Sequence, residues 1–277
     1  MKERLEKLFL DRYAGRHFVA FKYDLVRDEA RVADYASCFV LEVRGSWFLV
    51  TSGHWLNHPN SGLRHRLATG WTIRSPRLVD VFAGTSYPPL PMEFSIDAWA
   101  AFDDEPSGVD LAVMQIDPFT RRGLEGGGVI AISADWIQPL TFTPDSQVML
   151  VGVPSESFQV EGEEGSMKFV MIPVSQYQGQ DLPPRGCSVL AKLPDNPADP
   201  THRVESVVGM SGCPVFKINT LEAATKKYWL VGIQSSWYQQ ARVVRITPVE
   251  VLVDALENAI ERGIGERQRS GQADSGG

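Results

Sequence analysis

Three residues of this chain have the types that acyl transfer needs, a histidine (His54), an aspartate (Asp110) and a serine (Ser211). The serine stands in Val207-Val208-Gly209-Met210-Ser211-Gly212-Cys213-Pro214-Val215-Phe216, where two valines lead into a glycine-flanked turn and Pro-Val-Phe leads out as a strand. A serine held in a tight turn between extended segments presents its hydroxyl. A glycine two residues earlier lets a backbone N–H point at the same spot. Gly and Ser are also the ordinary residues of turns, so the turn acquires chemistry only with partners. An activated serine needs a base within hydrogen-bond reach and a group that orients the base.

The five histidines, His17, His54, His58, His65 and His202, all precede Ser211. An α/β-hydrolase places its histidine after the nucleophile and a glycine where this chain has Cys213, so that arrangement is excluded. His54 stands at the end of the apolar run Trp47–Thr51, and Asp110 opens the run Asp110–Ile116, whose apolar residues on both sides imply burial on both faces. A carboxylate entering such a strand needs a partner. Asp103 and Asp104 compete for the role but lie in a run that reads as an exposed acidic turn. His54 and His58 have the spacing of a helical zinc pair, yet no glutamate lies between them and no third ligand is evident, so His58 reads as a surface residue and neither metal nor cofactor is expected.

The elements that must position these residues are strands. Short runs rich in Val and aromatic residues occur at 17–23, 37–43, 47–51, 78–83, 94–102 and 110–116, and again at 129–132, 147–153, 168–174, 188–193, 212–218, 229–234 and 243–246, separated by Gly, Pro, Asp and Ser turns. The expectation is an all-β protein, sandwich or barrel. Thr247-Pro248-Val249-Glu250 reads as a capping box opening one amphipathic helix, with Val249, Leu252, Val253, Leu256 and Ile260 on one face and Gly263 as its stop.

Phe48-Leu49-Val50-Thr51-Ser52-Gly53-His54 resembles the histidine motif of the trypsin-like (chymotrypsin-fold) serine proteases. Asp110-Leu111-Ala112-Val113 resembles their aspartate motif, and Gly209–Phe216 their nucleophile motif. Leu230-Val231-Gly232-Ile233 resembles the strand that follows, and the terminal helix is in the family's usual place. The resemblance, to a bacterial intracellular type of member, spans about residues 17–263. It implies two six-stranded antiparallel β-barrels with a C-terminal α-helix and a short N-terminal helix. The implied serine endopeptidase uses His54 as base, Asp110 as its orienting acid and Ser211 as nucleophile, with the N–H groups of Gly209 and Ser211 as oxyanion hole. It also implies that Glu205 stands at the base of a specificity pocket and that Ser235, Ser236 and Trp237 form a substrate-binding strand. A buried Glu205 favours Arg or Lys in the substrate, whereas Trp237 narrows the entrance, so the two cues diverge.

Two departures from that pattern matter. Met210 replaces the acid that many secreted members use to capture a new N-terminus, so activity is expected to be constitutive or set by a partner protein or an allosteric switch. Cys213 replaces a glycine and reads as a small packed side chain or a redox handle. The alternative function is a catalytically silent barrel that binds peptides or partner proteins.

Composition bounds these readings. The 277 residues suit one large domain or a two-lobed unit, and a net charge of -7 without a basic run argues for a protein or peptide partner and against nucleic acid or an anionic membrane. Three cysteines, Cys38, Cys187 and Cys213, without paired spacing, fit reduced thiols in a cytoplasm. The charged N-terminus does not read as a secretory signal. The expected organisation is an N-terminal helical extension over 1–16, a β-barrel carrying His54 and Asp110 over 17–122, a second barrel with Ser211 and the terminal helix over 123–263, and a disordered tail over 264–277. The glycine run 123–128 reads as the linker.

Overall fold

The structure, a computed structural model, describes residues 14–80, 89–104, 106–161, 164–167, 169–195, 204–219 and 228–273. The expected N-terminal helix and His202 lie outside them.

The chain enters through a 3₁₀ turn, Ala14–His17, and then builds antiparallel strands β1 (Phe18–Arg27), β2 (Ala30–Val43) and β3 (Ser46–Thr51). Arg44 and Gly45, with φ of 50° and 79°, form the two-residue turn between β2 and β3. Positive φ at both positions matches the right-handed twist of the flanking strands. A short helix α1 (Gly53–Asn57), helix α2 (Leu63–Ala68), and strands β4 (Thr72–Val79), β5 (Leu90–Pro91), β6 (Trp99–Asp104) and β7 (Val109–Gln115) follow. The sheet order is β5-β4-β1-β2-β3-β7-β6, and β8 (Ile132–Ser133) pairs with β2 in parallel. Among the described residues this path is open.

The second unit closes. Strands β9 (Ser146–Gly152), β12 (Val170–Gln176), β13 (Val189–Lys192), β14 (Pro214–Asn219), β15 (Tyr228–Tyr238) and β16 (Val243–Pro248) form a six-stranded barrel in the order β12-β13-β16-β15-β14-β9. A separate hairpin joins β10 (Phe158–Glu161) and β11 (Glu164–Met167). The all-β expectation, with a closed six-stranded barrel, a second sheet and a C-terminal helix, therefore holds.

Three apolar cores follow from this layout. One fills the first sheet around Phe21, Leu49 and Trp99, and another fills the barrel around Val148, Val207, Val231 and Ile246. The third joins the halves, packing Phe39, Val50 and Leu111 of the first against Met149, Phe216 and Ile233 of the second, under Val249, Leu252 and Leu256 of the terminal helix. At about 1.5–3 kcal/mol per fully buried large apolar side chain, this shared core is sufficient to fix the two units together.

Three expectations are corrected. The glycine run 123–128 is not a linker. It ends helix α3 (Pro118–Gly127), because Asp117 Oδ1 accepts from the N–H groups of Phe119 and Thr120, Pro118 starts the first turn, and Gly128 closes the helix at φ 93°. Thr247 does not cap the terminal helix. It lies in β16 and donates to Gly108 O at 3.2 Å, and the helix α4 (Glu250–Ala273) begins after it. Nor does Gly263 stop α4, which runs to Ala273 through the expected tail. Each glycine inside a helix costs only about 1 kcal/mol, and Gly263 and Gly265 are bracketed by the helix formers Glu261, Arg262, Glu266 and Arg267.

Candidate active site

His54 enters the site because β3 ends at Thr51 and α1 begins at Gly53. Gly53 lets this turn approach the neighbouring strands closely, since a Cβ there would lie 2.9 Å from Leu111 O and 3.0 Å from Phe102 O. The approach brings His54 against Asp110 at the start of β7. Asp110 Oδ1 accepts the His54 backbone N–H at 2.8 Å, and Oδ2 pairs with His54 Nδ1 at 2.7 Å. Nδ1 therefore carries the proton, leaving the Nε2 lone pair free to act as a base. Burial lowers the imidazole pKa and is the largest influence. The Asp110 hydrogen bond, the Asp110 charge and the Asp103 charge together outweigh it and hold the pKa above its ordinary value. Asp103 lies opposite Asp110 in the β6–β7 register and contributes charge from an exposed position, not the orienting contact.

Asp110 itself is positioned from the second unit. The preceding Ser107 and Gly108 are gripped by the segment before β13, whose Cys187 N–H donates to Ser107 O at 2.9 Å, and by β16, whose Thr247 Oγ1 donates to Gly108 O. Arg245, 2% exposed, holds that segment by donating to Ser188 Oγ at 2.7 Å and Pro183 O at 2.9 Å, and is itself fixed by the Tyr238 hydroxyl of β15, which accepts from it at 2.9 Å. Its partners there are neutral oxygens.

The Ser211 turn is pressed against the end of β3 and the adjoining part of β2. Gly212 has φ 92°, and a Cβ there would collide with Thr51 Oγ1 and lie 2.5 Å from Ser37 O and 2.9 Å from Ser52 N. Ser211 thus follows the close contact with the residues just before His54. Gly209, at φ 87°, sits where a Cβ would strike Ser155 Oγ and the Tyr35 hydroxyl. Ser37 Oγ donates to Gly209 O at 2.7 Å, Thr51 Oγ1 to Ser37 O at 2.8 Å, and Ser155 N–H to Val208 O at 2.7 Å. Met210 N–H is used in a turn to Val207 O, whereas the N–H groups of Gly209 and Ser211 donate to no described residue. Ser211 is half-buried, and neither its hydroxyl nor His54 Nε2 has a hydrogen bond among the described residues.

The remaining expected residues divide. Met210 is fully buried beside Cys213 and Val207, where an acid would be unpaired. Cys213 is fully buried, and burial pushes its thiol up to about 12, so it fits a packed side chain. Glu205 is exposed and is not a buried pocket base. Its backbone N–H bonds Glu156 Oε1 at 3.1 Å, and its carboxylate stays in water, avoiding a large desolvation cost. Ser235 is buried with Oγ donating to Arg245 O at 3.2 Å, and Ser236 and Trp237 are half-buried beyond a bulge in β15. His58 is exposed and pairs with Ser61 Oγ at 2.9 Å. Ser37, Thr51, Tyr35, Ser155 and Arg245 were not foreseen. The one signal in the sequence is a hydroxyl or charge interrupting an otherwise apolar strand, as at Ser37 and Arg245.

No family model matches the chain, and no curated protein matches it. The fold is similar to that of a solved Glu endopeptidase at 10% identity, over 92% of this chain and 94% of that one, with a TM-score of 0.50. Protease Anisep from Arthrobacter nicotinovorans (12% identity, 84% and 90% covered, TM-score 0.48) and Deg5 (16%, 91% and 92%, 0.46) are also similar. At these identities the likeness concerns the fold alone, which is chymotrypsin-like.

Proposed function

We propose that the protein is a serine endopeptidase. The observation that carries this reading is the double grip of Asp110 on His54, together with a glycine-flanked serine turn packed, through Gly212, against Thr51 and Ser52 just before that histidine. Ser211 Oγ attacks the scissile carbonyl carbon while its proton passes to His54 Nε2. Asp110 stabilises the imidazolium without taking the proton. The N–H groups of Gly209 and Ser211 receive the oxyanion, where one good donor contributes about 2.7–4 kcal/mol to transition-state stabilisation. The intermediate collapses to an acyl-enzyme as the leaving amine takes the proton from His54, and water reverses the sequence to release the acid.

Substrates are proteins or peptides. The net charge of -7 gives no electrostatic basis for nucleic-acid or anionic-membrane binding. Three free cysteines support a reducing, cytoplasmic setting, and among the described residues no helix is long and apolar enough to cross a membrane. Met210, buried among apolar residues, supports activity that is constitutive or set by a partner or an allosteric change and not by a newly cut N-terminus. A second reading, a silent peptide-binding barrel, is favoured only by the open hydroxyl of Ser211.

A fluorophosphonate probe distinguishes them. Native protein is expected to gain the probe's mass on the peptide containing Ser211, and Ser211→Ala or denatured protein is not. An unlabelled native protein overturns the endopeptidase reading, unless a partner added to the same assay restores the label.

A further inference from the structure

Gln234 lies in β15 with no exposed surface, and neither its Oε1 nor its Nε2 has a hydrogen-bond partner among the described residues. Leaving a buried polar group unpaired costs about 1–3 kcal/mol, which a methionine of similar length avoids. The main chain of Gln234 is tied to the serine turn, with Gly212 N–H donating to Gln234 O at 2.8 Å and Gln234 N–H to Cys213 O at 3.0 Å. Ile233, its neighbour, belongs to the core shared by the two halves, so alternation turns Gln234 to the opposite face. That face carries Ile246 across the strand pair and, because Val231 is an extra residue of β15 opposite β14 between Leu230 and Gly232, Val231 as well. Both belong to the core with Val207 and Met210 of the segment leading into Ser211. Beyond the bulge, Trp237 packs on the same core, and its Nε1 is also buried without a partner among the described residues. One strand therefore holds an unpaired carbonyl and two unpaired nitrogen donors on the side of the nucleophile segment.

We propose that Gln234 and Trp237 recognise the side chain of the substrate residue contributing the scissile carbonyl, and that this side chain is a primary amide, glutamine or asparagine. The assignment rests on reading Ser211 as the nucleophile. A primary amide supplies a C=O for the two N–H donors and an NH₂ for Gln234 Oε1, so every orphaned group is satisfied at once. A carboxylate has nothing to donate to Oε1. An ammonium or guanidinium has nothing to accept from the N–H groups, and an aliphatic chain leaves all of them unpaired. The amide is also neutral, so it enters an apolar core without the desolvation cost of an ion. The exposed position of Glu205 removes the competing buried anion that a basic side chain would seek.

Peptides identical except for that residue test the assignment. The kcat/KM for Gln or Asn is expected to exceed that for the near-isosteric Met and Glu by about 100-fold or more, because a site built to hydrogen-bond a side chain rejects analogues that cannot reciprocate. In Gln234→Met the order reverses, with Met preferred. A merely structural glutamine moves the thermal midpoint without moving this order. In parallel, fluorescence anisotropy of the same peptides on Ser211→Ala reads recognition without catalysis. Tighter binding of the Gln peptide supports the proposal even where the probe fails to label Ser211. Labelling together with a flat side-chain profile overturns this proposal and leaves the endopeptidase reading standing. Equal binding of all peptides to Ser211→Ala overturns it on the recognition side.

Discussion

Asp110 holds His54 through two separate bonds, Oδ1 to the backbone N–H and Oδ2 to Nδ1, at 2.8 and 2.7 Å. One bond anchors the main chain and the other sets the imidazole tautomer, so removing the carboxylate charge acts on chemistry more than on placement. Asp110→Asn is expected to lower kcat by about 10⁴-fold. Its amide can still accept the His54 backbone N–H through Oδ1, so the circular dichroism spectrum should keep its native form. Retention of near-normal turnover in this variant contradicts the assigned role of Asp110.

The same pair sets a pH dependence. The His54 pKa lies above its ordinary value of 6.5, because the Asp110 bond and the Asp110 and Asp103 charges outweigh the opposing effect of burial. Only neutral His54 accepts a proton, so kcat/KM should rise with pH through a midpoint above 6.5. The stability contribution has the opposite sense: it is full below the unfolded pKa and lost as pH rises through the folded one. Asp103→Asn removes one charge while leaving the 2.7 Å contact, so the midpoint should move down, and less so in high salt. An unchanged midpoint at low ionic strength argues against coupling to Asp103.

How far the sequence carries can be judged from particular residues. The placement of His54, Asp110 and Ser211 at strand boundaries was legible because each stands where an apolar run begins or ends, and such boundaries are visible as alternation giving way to Gly, Ser or Asp. The face of the terminal helix was legible by the same periodicity. Helix α3 was missed because three consecutive glycines read as a linker, although Asp117 and Pro118 were an adequate start signal. Thr247 was misassigned because a cap motif says nothing of a competing acceptor, here Gly108 O, that only the tertiary fold supplies. Nothing in the one-dimensional pattern distinguishes Gln234, unpaired in a core, from a glutamine on an exposed strand face.

Gly209 is the residue whose replacement should separate turn geometry from binding. At φ 87° an alanine is strained by about 1–2 kcal/mol, and its Cβ meets Ser155 Oγ and the Tyr35 hydroxyl. Relief requires the 208–210 backbone to shift, which moves the Gly209 N–H. Gly209→Ala is expected to lower kcat by about 10²–10³-fold with a smaller change in KM. Equal losses in kcat and 1/KM point to a collapsed substrate site.

Arg245 should behave as a positioning residue. Lysine keeps the charge but cannot reach Ser188 Oγ, Pro183 O and the Tyr238 hydroxyl together. Arg245→Lys is expected to lose about 2–3 kcal/mol of stability. Kinetically, it should lower the pH midpoint of kcat/KM as Asp110 loosens from His54. A stability loss with an unshifted midpoint confines Arg245 to a structural role.

Acid sensitivity should arise away from the site, at His17. It is 1% exposed, with Nδ1 at 2.7 Å from Ile130 O and Nε2 at 2.7 Å from the Tyr228 hydroxyl. Nδ1 therefore donates and Nε2 accepts, which uses up the neutral ring. Burial lowers its pKa from 6.5 to about 4, against a smaller opposing effect of the Ile130 bond. The unfolded chain binds this proton more readily than the folded one, so the contribution is present above 6.5 and is lost as pH falls toward 4. At 1.36 kcal/mol per unit, the loss approaches about 3 kcal/mol below the lower value. Other groups titrate in the same range, so the informative quantity is a difference between variants. His17→Gln should be less stable than the native protein at pH 7.5 and should lose most of that deficit by pH 4.5 in chemical denaturation. The exposed His58→Gln should track the native protein throughout. A deficit for His17→Gln that stays constant over this range shows that the ring binds its proton equally in the folded and unfolded states and refutes the coupling.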